Sequence, residues 1–261
     1  MSGSDRRRAL PGGQRALIKS VAAVGAILFG IGSSLVQDAG ASAANDVVRR
    51  VYGFRPGIGP AYYRPVAVDG KAFPVARSNF FSLLEFTNSW HDPRLRFVGG
   101  RWRLVGFHEG VDITAERGTP VLSMTGGVVE RVGWTFYSGL RVGVRGPDGR
   151  YYFYAHLSSV APGIAPGAHV TVGSALGAVG NTGYGPPGQR DMFAPHLHFG
   201  IEAPTGWVNP YPLLTTLYRQ TVVRERREEL ELARLAALGK RAAWDHAAAR
   251  VFMNPTLATG E

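Results

Sequence analysis

From Gly118 to Glu202, apolar and polar positions alternate in short runs that glycine-rich turns cut apart. This pattern predicts strands near 119–123, 126–134, 139–146, 150–157, 168–172, 175–180 and 196–202, and so an all-β, mostly antiparallel domain. Residues 215–250 change character. Ala, Leu, Arg and Glu dominate there, Pro is absent and the only Gly is Gly239. A weak apolar stripe through Leu217, Val223, Leu230, Leu235 and Leu238 predicts a long C-terminal α-helix. Such a helix either packs on the domain or, through residues 217–250, meets a protein partner or a second copy.

The N-terminal part reads differently. Arg6, Arg7, Arg8, Arg15 and Lys19 precede an uncharged run of 18 residues, Ser20 to Gln37. It predicts a hydrophobic helix, either a signal peptide cleaved at Ala41-Ser42-Ala43 or a membrane anchor. Its length favours a retained anchor. Either way the basic flank stays in the cytoplasm and the bulk of the chain is exported, facing the periplasm or cell wall. Residues 44–94 are rich in Pro, Gly and aromatic residues and read as an extended lead-in. The expected organisation is a basic N-terminus with its signal or anchor (1–43), the lead-in (44–94), a β-domain (95–214) and a helical extension (215–261).

Net charge changes this picture little. The excess of +10 sits mostly outside residues 98–216, which carry only +1. With no nucleic-acid motif, a nucleic-acid partner is not expected. A basic flank instead suits membrane topology and anionic surfaces. The chain has no Cys, which removes disulfides and thiolate metal sites.

Three stretches carry candidate chemistry. In His196-Leu197-His198 a strand would point both imidazoles to one face. In His108-Glu109-Gly110-Val111-Asp112, equal parity puts His108 and Asp112 on one face, and Gly110 leaves room between them for a large group. One His, one Asp and a later His make a donor set that zinc accepts, with a fourth position left for water. Tyr151 to Ser158 places His156 near the end of a hairpin's return strand, after the turn at Pro147-Asp148-Gly149. Taken singly, each histidine is also compatible with ordinary packing. His91 reads as a surface or packing residue, and His169 as exposed.

Together these stretches resemble the lysostaphin/LytM-type zinc metallopeptidases, the peptidoglycan endopeptidases. The matching residues are His108 to Asp112, Tyr154-Ala155-His156-Leu157-Ser158 and His196-Leu197-His198, in that order. Gly118-Thr119-Pro120-Val121, Gly126-Gly127-Val128-Val129 and the glycine-punctuated 173–183 match between them. The resemblance covers about residues 95–214 and implies that family's antiparallel β-sheet fold, the duplicated hybrid motif. It implies one zinc per chain held by His108, Asp112 and His198, with His156 and His196 as catalytic groups flanking the zinc-bound water. The implied activity is hydrolysis of peptide bonds in peptidoglycan cross-links. The alternative is a membrane-tethered, LytM-like module that regulates another wall hydrolase, but such relatives usually lack some of these five residues. The loop from Gly183 to Pro195 is longer than the family's compact loop and is expected to line the groove. Asn79 and Asn88 are candidates for blocking the site in a latent form.

Overall fold

A computed structural model describes residues 62–77 and 84–253. The expected N-terminal hydrophobic helix and Asn79 lie outside the described residues. In chain order the strands are β1 (Tyr62–Tyr63), β2 (Pro93–Val98), β3 (Arg101–Phe107), β4 (Val111–Thr114), β5 (Pro120–Leu122), β6 (Gly127–Thr135), β7 (Gly139–Arg145), β8 (Tyr151–Val160), β9 (His169–Val170), β10 (Ala175–Val179), β11 (His196–Ala203) and β12 (Gly206–Val208). Helices α1 (Tyr211–Ala237) and α2 (Arg241–Val251) and the short β13 (Phe252–Met253) follow. Among the described residues no helix is long and apolar enough to cross a membrane.

Nine of these strands form one antiparallel sheet. Its main path runs β12-β11-β8-β7-β6-β9, β4 joins β11, and β10 links β8 to β5. β8 is the hub, because its side chains are apolar in both directions. Tyr152 and Tyr154 enter the main core with Val111, Ile113, Leu197 and Phe199. Tyr151, Phe153 and Ala155 face the other way and pack against Trp207. By strict alternation His156 would follow Tyr152 and Tyr154 inwards. It does not, because β8 holds an extra residue here. Val142 pairs with Tyr154 but Leu140 pairs with Leu157, and His156 takes a left-handed φ of 63°. Such a bulge re-aims a side chain. Leu157 fills the core position instead, fully buried, and burying a leucine there gains roughly 2 kcal/mol. His156 therefore lies in mid-strand, on the opposite face, rather than near the strand's end as expected.

The part of the lead-in that is described belongs to this core. Phe73, Val75 and Leu84 are buried in it. Residues 72–76 run beside β5, with backbone bonds from Leu122 N–H to the Pro74 carbonyl (2.8 Å) and from Ala76 N–H to the Pro120 carbonyl (3.0 Å). Phe73 meets the ring of Tyr218 on α1 at 5.3 Å, and β1 pairs with β13. The segment and the C-terminal helices thus close on each other as well as on the sheet.

The expected long helix is present, but it ends before Gly239. There the chain turns at φ +65°, with Gly239 N–H on the Ala236 carbonyl and Lys240 N–H on the Leu235 carbonyl, a glycine C-cap. A second, shorter helix follows. Leu214, Leu217, Thr221, Glu225 and Leu232 on α1 are buried, at the three-and-four spacing of one helix face. This is the packed alternative for the C-terminal helix.

Candidate metal centre and catalytic cleft

β11 lies antiparallel to β4, and the register sets His198 directly opposite Asp112. His108 precedes β4 and comes straight from the end of β3. Its ring reaches the same point. The His108 Nε2 and His198 Nδ1 atoms are 2.8 Å apart, and Asp112 Oδ1 lies 3.1 Å from the first and 3.0 Å from the second. Gly110 makes room for this. A Cβ on it would fall 2.6 Å from His198 Cε1 and 2.7 Å from the Phe199 carbonyl oxygen. The large group for which Gly110 leaves space is therefore the His198 imidazole.

The outer nitrogens are fixed by main-chain carbonyls. His108 Nδ1 donates to Ser89 O (2.7 Å), His156 Nδ1 to Thr182 O (2.7 Å) and His196 Nδ1 to Ala194 O (2.8 Å). Each of these rings then carries its proton on Nδ1 and leaves Nε2 as an acceptor. Ser89 Oγ also accepts the Asp112 N–H at 3.3 Å, which ties the loop before β2 to the site.

The electrostatics follow from this crowding. Burial alone would push the Asp112 carboxyl up, but whenever His108 and His198 are protonated their hydrogen bonds and charge hold it well below the usual carboxylate range. Burial lowers His198. It also lowers His156 to about 3, helped by the neighbouring His198 and His196 rings. With both rings neutral and these nitrogens unprotonated, two imidazole nitrogens and a carboxylate oxygen, all acceptors, meet on a triangle with edges near 3 Å. Buried acceptors hold such a geometry when a cation sits among them. A tetrahedral ion with bonds of about 2 Å needs ligand separations only slightly longer, about 3.3 Å. Among the described residues these three form the group able to hold a metal. Two nitrogens, one oxygen and no sulfur are a zinc set with an open fourth position.

His156 and His196 stand beside that triangle. Their ring centroids are 4.9 Å apart, and His156 is 5.9 Å from His198. His196 Nε2 lies 3.7 Å from Asp112 Oδ1. All five residues singled out in the sequence are thus brought together. The 183–195 loop does reach the site. Phe193 packs on both His156 (4.7 Å) and His196 (5.0 Å), and Tyr184 lines the cleft. The cleft is open, about 250 Å³, and Arg94, Phe107, Tyr137 and Trp207 also line it. Arg94 Nη2 is 3.4 Å from Asp112 Oδ2. The sequence gives no sign of Ser89, Thr182 and Ala194, since only their carbonyls act on the histidines. Asn88 is not at the site; its side chain accepts from Asn209 at 3.3 Å. His91 stacks on Trp90 at 4.3 Å, the packing role expected of it, and His169 is exposed.

Comparison with known proteins finds similar chains. The L-Ala–D-Glu endopeptidase of Bacillus subtilis (strain 168) is 40% identical over 156 residues, 58% of this chain and 45% of that protein. Lysostaphin of Staphylococcus simulans is 36% identical over 96 residues, 36% of this chain and 18% of that protein. The chain therefore spans less than half the length of these relatives. The crystallised catalytic domain of lysostaphin from Staphylococcus simulans aligns at 29% identity over 51% of this chain and 92% of that one, with a TM-score of 0.40. The profile of Peptidase family M23 matches residues 106–210, which span every one of the five site residues. Through residues 106–210, then, the chain carries a domain of peptidase family M23.

Proposed function

We propose that this chain is a zinc-dependent endopeptidase that hydrolyses peptide bonds in peptidoglycan cross-links. The observation that carries the proposal is the triangle of His108, Asp112 and His198 donor atoms with two further histidines beside it in an open cleft. The matched relatives, an L-Ala–D-Glu endopeptidase and lysostaphin, support the same substrate class. All five positions are filled, so nothing favours a non-enzymatic module.

In this reading His108, Asp112 and His198 hold the zinc. Bound there, zinc supplies a Lewis acid for the scissile carbonyl and brings the pKa of water towards about 7. His156 and His196 work at Nε2, because their Nδ1 protons are tied to Thr182 and Ala194. With its pKa lowered to about 3, His156 stays neutral across the working range. As the C–O bond forms, one of the two rings takes the water's proton. The C–N bond breaks, and the proton passes to the departing amine. Strand pairing of β4, β8 and β11 keeps these groups in place without reorganisation. Phe193 packs on one side of both histidines, and the Tyr184 ring lies beside His156. The basic segment before Ser20 and the apolar run behind it support an exported chain, held by that run or released by cleavage near Ala43.

The test is digestion of purified cell walls by the full chain. Fragments should appear with new amino groups, stop with a chelator and return with zinc. Release of new reducing sugar ends without new amino groups would put the cut in the glycan and overturn the proposal.

A further inference from the structure

The hairpin of β2 and β3 pairs with no other strand among the described residues. Gly99 and Gly100 turn it, both at positive φ (59° and 77°), as a tight hairpin turn requires. Its register sorts the side chains onto two faces. Pro93 faces Phe107, Leu95 faces Leu104 and Phe97 faces Trp102, while Arg96 faces Arg103 and Arg101 faces Val98. One face is therefore apolar and the other basic. The apolar face is bare. Leu95, Phe97, Trp102 and Leu104 are each 55–67% exposed, and the Phe97 and Trp102 rings meet at 5.3 Å. Large contiguous apolar surface of this kind marks a binding face.

The charge on this hairpin narrows the choice of partner. Residues 93–107 hold Arg94, Arg96, Arg101 and Arg103 and no acid. Among the described residues only Arg94 of these four has a carboxylate in ion-pair range, that of Asp112. Two arginines directly opposite each other, as at Arg96 and Arg103, repel unless anions lie near both.

We infer that this hairpin docks on an anionic lipid bilayer. The apolar face enters the headgroup region with Trp102 at the interface, where tryptophan is favoured. The long arginine side chains reach lipid phosphates around it. Apolar area and charge together set the strength of such interfacial binding. A second copy stacked on the apolar face would bring two sets of arginines within about a Debye length, with no acid to offset them. A glycan polymer offers hydroxyls, which leave Leu95 and Leu104 without an apolar partner. Arg94 and Phe107 belong to both the hairpin and the cleft, so docking would hold the cleft close to the bilayer. The inference goes beyond the proposed function and does not rest on it.

The chain has no Cys, so Leu95→Cys in the full chain takes a single environment-sensitive dye. Val223→Cys, on an exposed part of α1 (61%), is the control. Vesicles of phosphatidylglycerol mixed into phosphatidylcholine should shift the dye at position 95 to the blue and leave that at position 223 unmoved. Phosphatidylcholine alone should shift neither. Arg96→Gln with Arg103→Gln should raise the lipid concentration for half the shift by about thirtyfold, from about fivefold per basic residue near the surface. An unmoved dye at position 95 on vesicles that do bind the chain would overturn the inference, because binding would then run through other residues. A shift with soluble wall fragments but not vesicles would reassign the hairpin to an anionic polymer. A shift that rises with protein concentration in the absence of lipid would reassign it to a second copy.

Discussion

Among the described residues, two clusters of ionisable side chains are largely withdrawn from solvent, and they are built on opposite plans. At the seam between residues 62–77 and α1, opposite charges and polar groups are set against one another, although both Glu225 carboxyl oxygens lack a hydrogen-bond donor. Arg77 lies 3.1 Å from Glu225 and over the Tyr218 ring at 5.5 Å, and the Tyr63 hydroxyl donates to Glu229. In the cleft His108, His156 and His196 are held from behind by the carbonyls of Ser89, Thr182 and Ala194, and the donor atoms of His108, Asp112 and His198 converge on one point. Burial and charge do not separate the two clusters. The difference is whether opposite charges are set directly against one another or the rings are anchored by main-chain carbonyls and turned to a common point. The first plan holds the fold together and the second prepares a ligand site.

Removing Arg77 tests that division most strongly. Arg77→Ala leaves Glu225, which is 3% exposed, without its cation. In a denaturant titration above pH 8, where Glu225 is ionised, stability should fall by about 2 kcal/mol, the cost of leaving a buried polar group without its partner, with zinc content unchanged. Loss of zinc in that variant would mean that the two clusters are one.

The pH dependence of the metal-free protein sharpens the contrast, because the clusters carry opposite signs. Burial, reinforced by His198 and His196, lowers His156 to about 3, from 6.5. Between those values the unfolded chain binds the extra proton, so this contribution is complete above about 6.5 and is lost as pH falls towards 3. Burial raises Glu225 from 4.5 to about 8, against the pull of Arg77. There the folded chain binds the extra proton, so its contribution is complete below 4.5 and is lost as pH rises through 8. In thermal melts across pH, Glu225→Gln should flatten the alkaline limb and leave the acid limb alone. A variant whose alkaline limb is as steep as the parent's would remove Glu225 from this role.

The two plans were not equally legible in the sequence. Strand parity and residue type could pair His108 with Asp112 and ask for a later His. The resemblance to the lysostaphin/LytM-type peptidases picked out His198, and the antiparallel pairing of β4 with β11 is the reason it fits. Gly110 was readable from the same parity. The carbonyls behind the histidines were not, since a main-chain oxygen leaves no mark on residue type. Parity misdirects at His156, where only the bulge explains why Leu157 and not the imidazole is buried. The seam was harder still. Arg77 and Glu225 are far apart in the chain, and the Pro- and Gly-rich surroundings of Phe73 and Val75 suggested a lead-in, not core. The β2–β3 hairpin did leave a signal, the Gly99-Gly100 pair between alternating apolar and basic residues, which marks a tight turn between strands.

The most direct measurement sets zinc content beside wall-fragment release for the parent chain, His198→Ala and His156→Asn. Asparagine tolerates the left-handed backbone at position 156, so that variant removes the imidazole with little added strain. His198→Ala should lose both zinc and release. His156→Asn should keep stoichiometric zinc while release falls by roughly 10²–10⁴-fold. Full release from His156→Asn, or zinc retained by His198→Ala, would contradict the division between the triangle that holds the metal and the histidine pair that moves the proton.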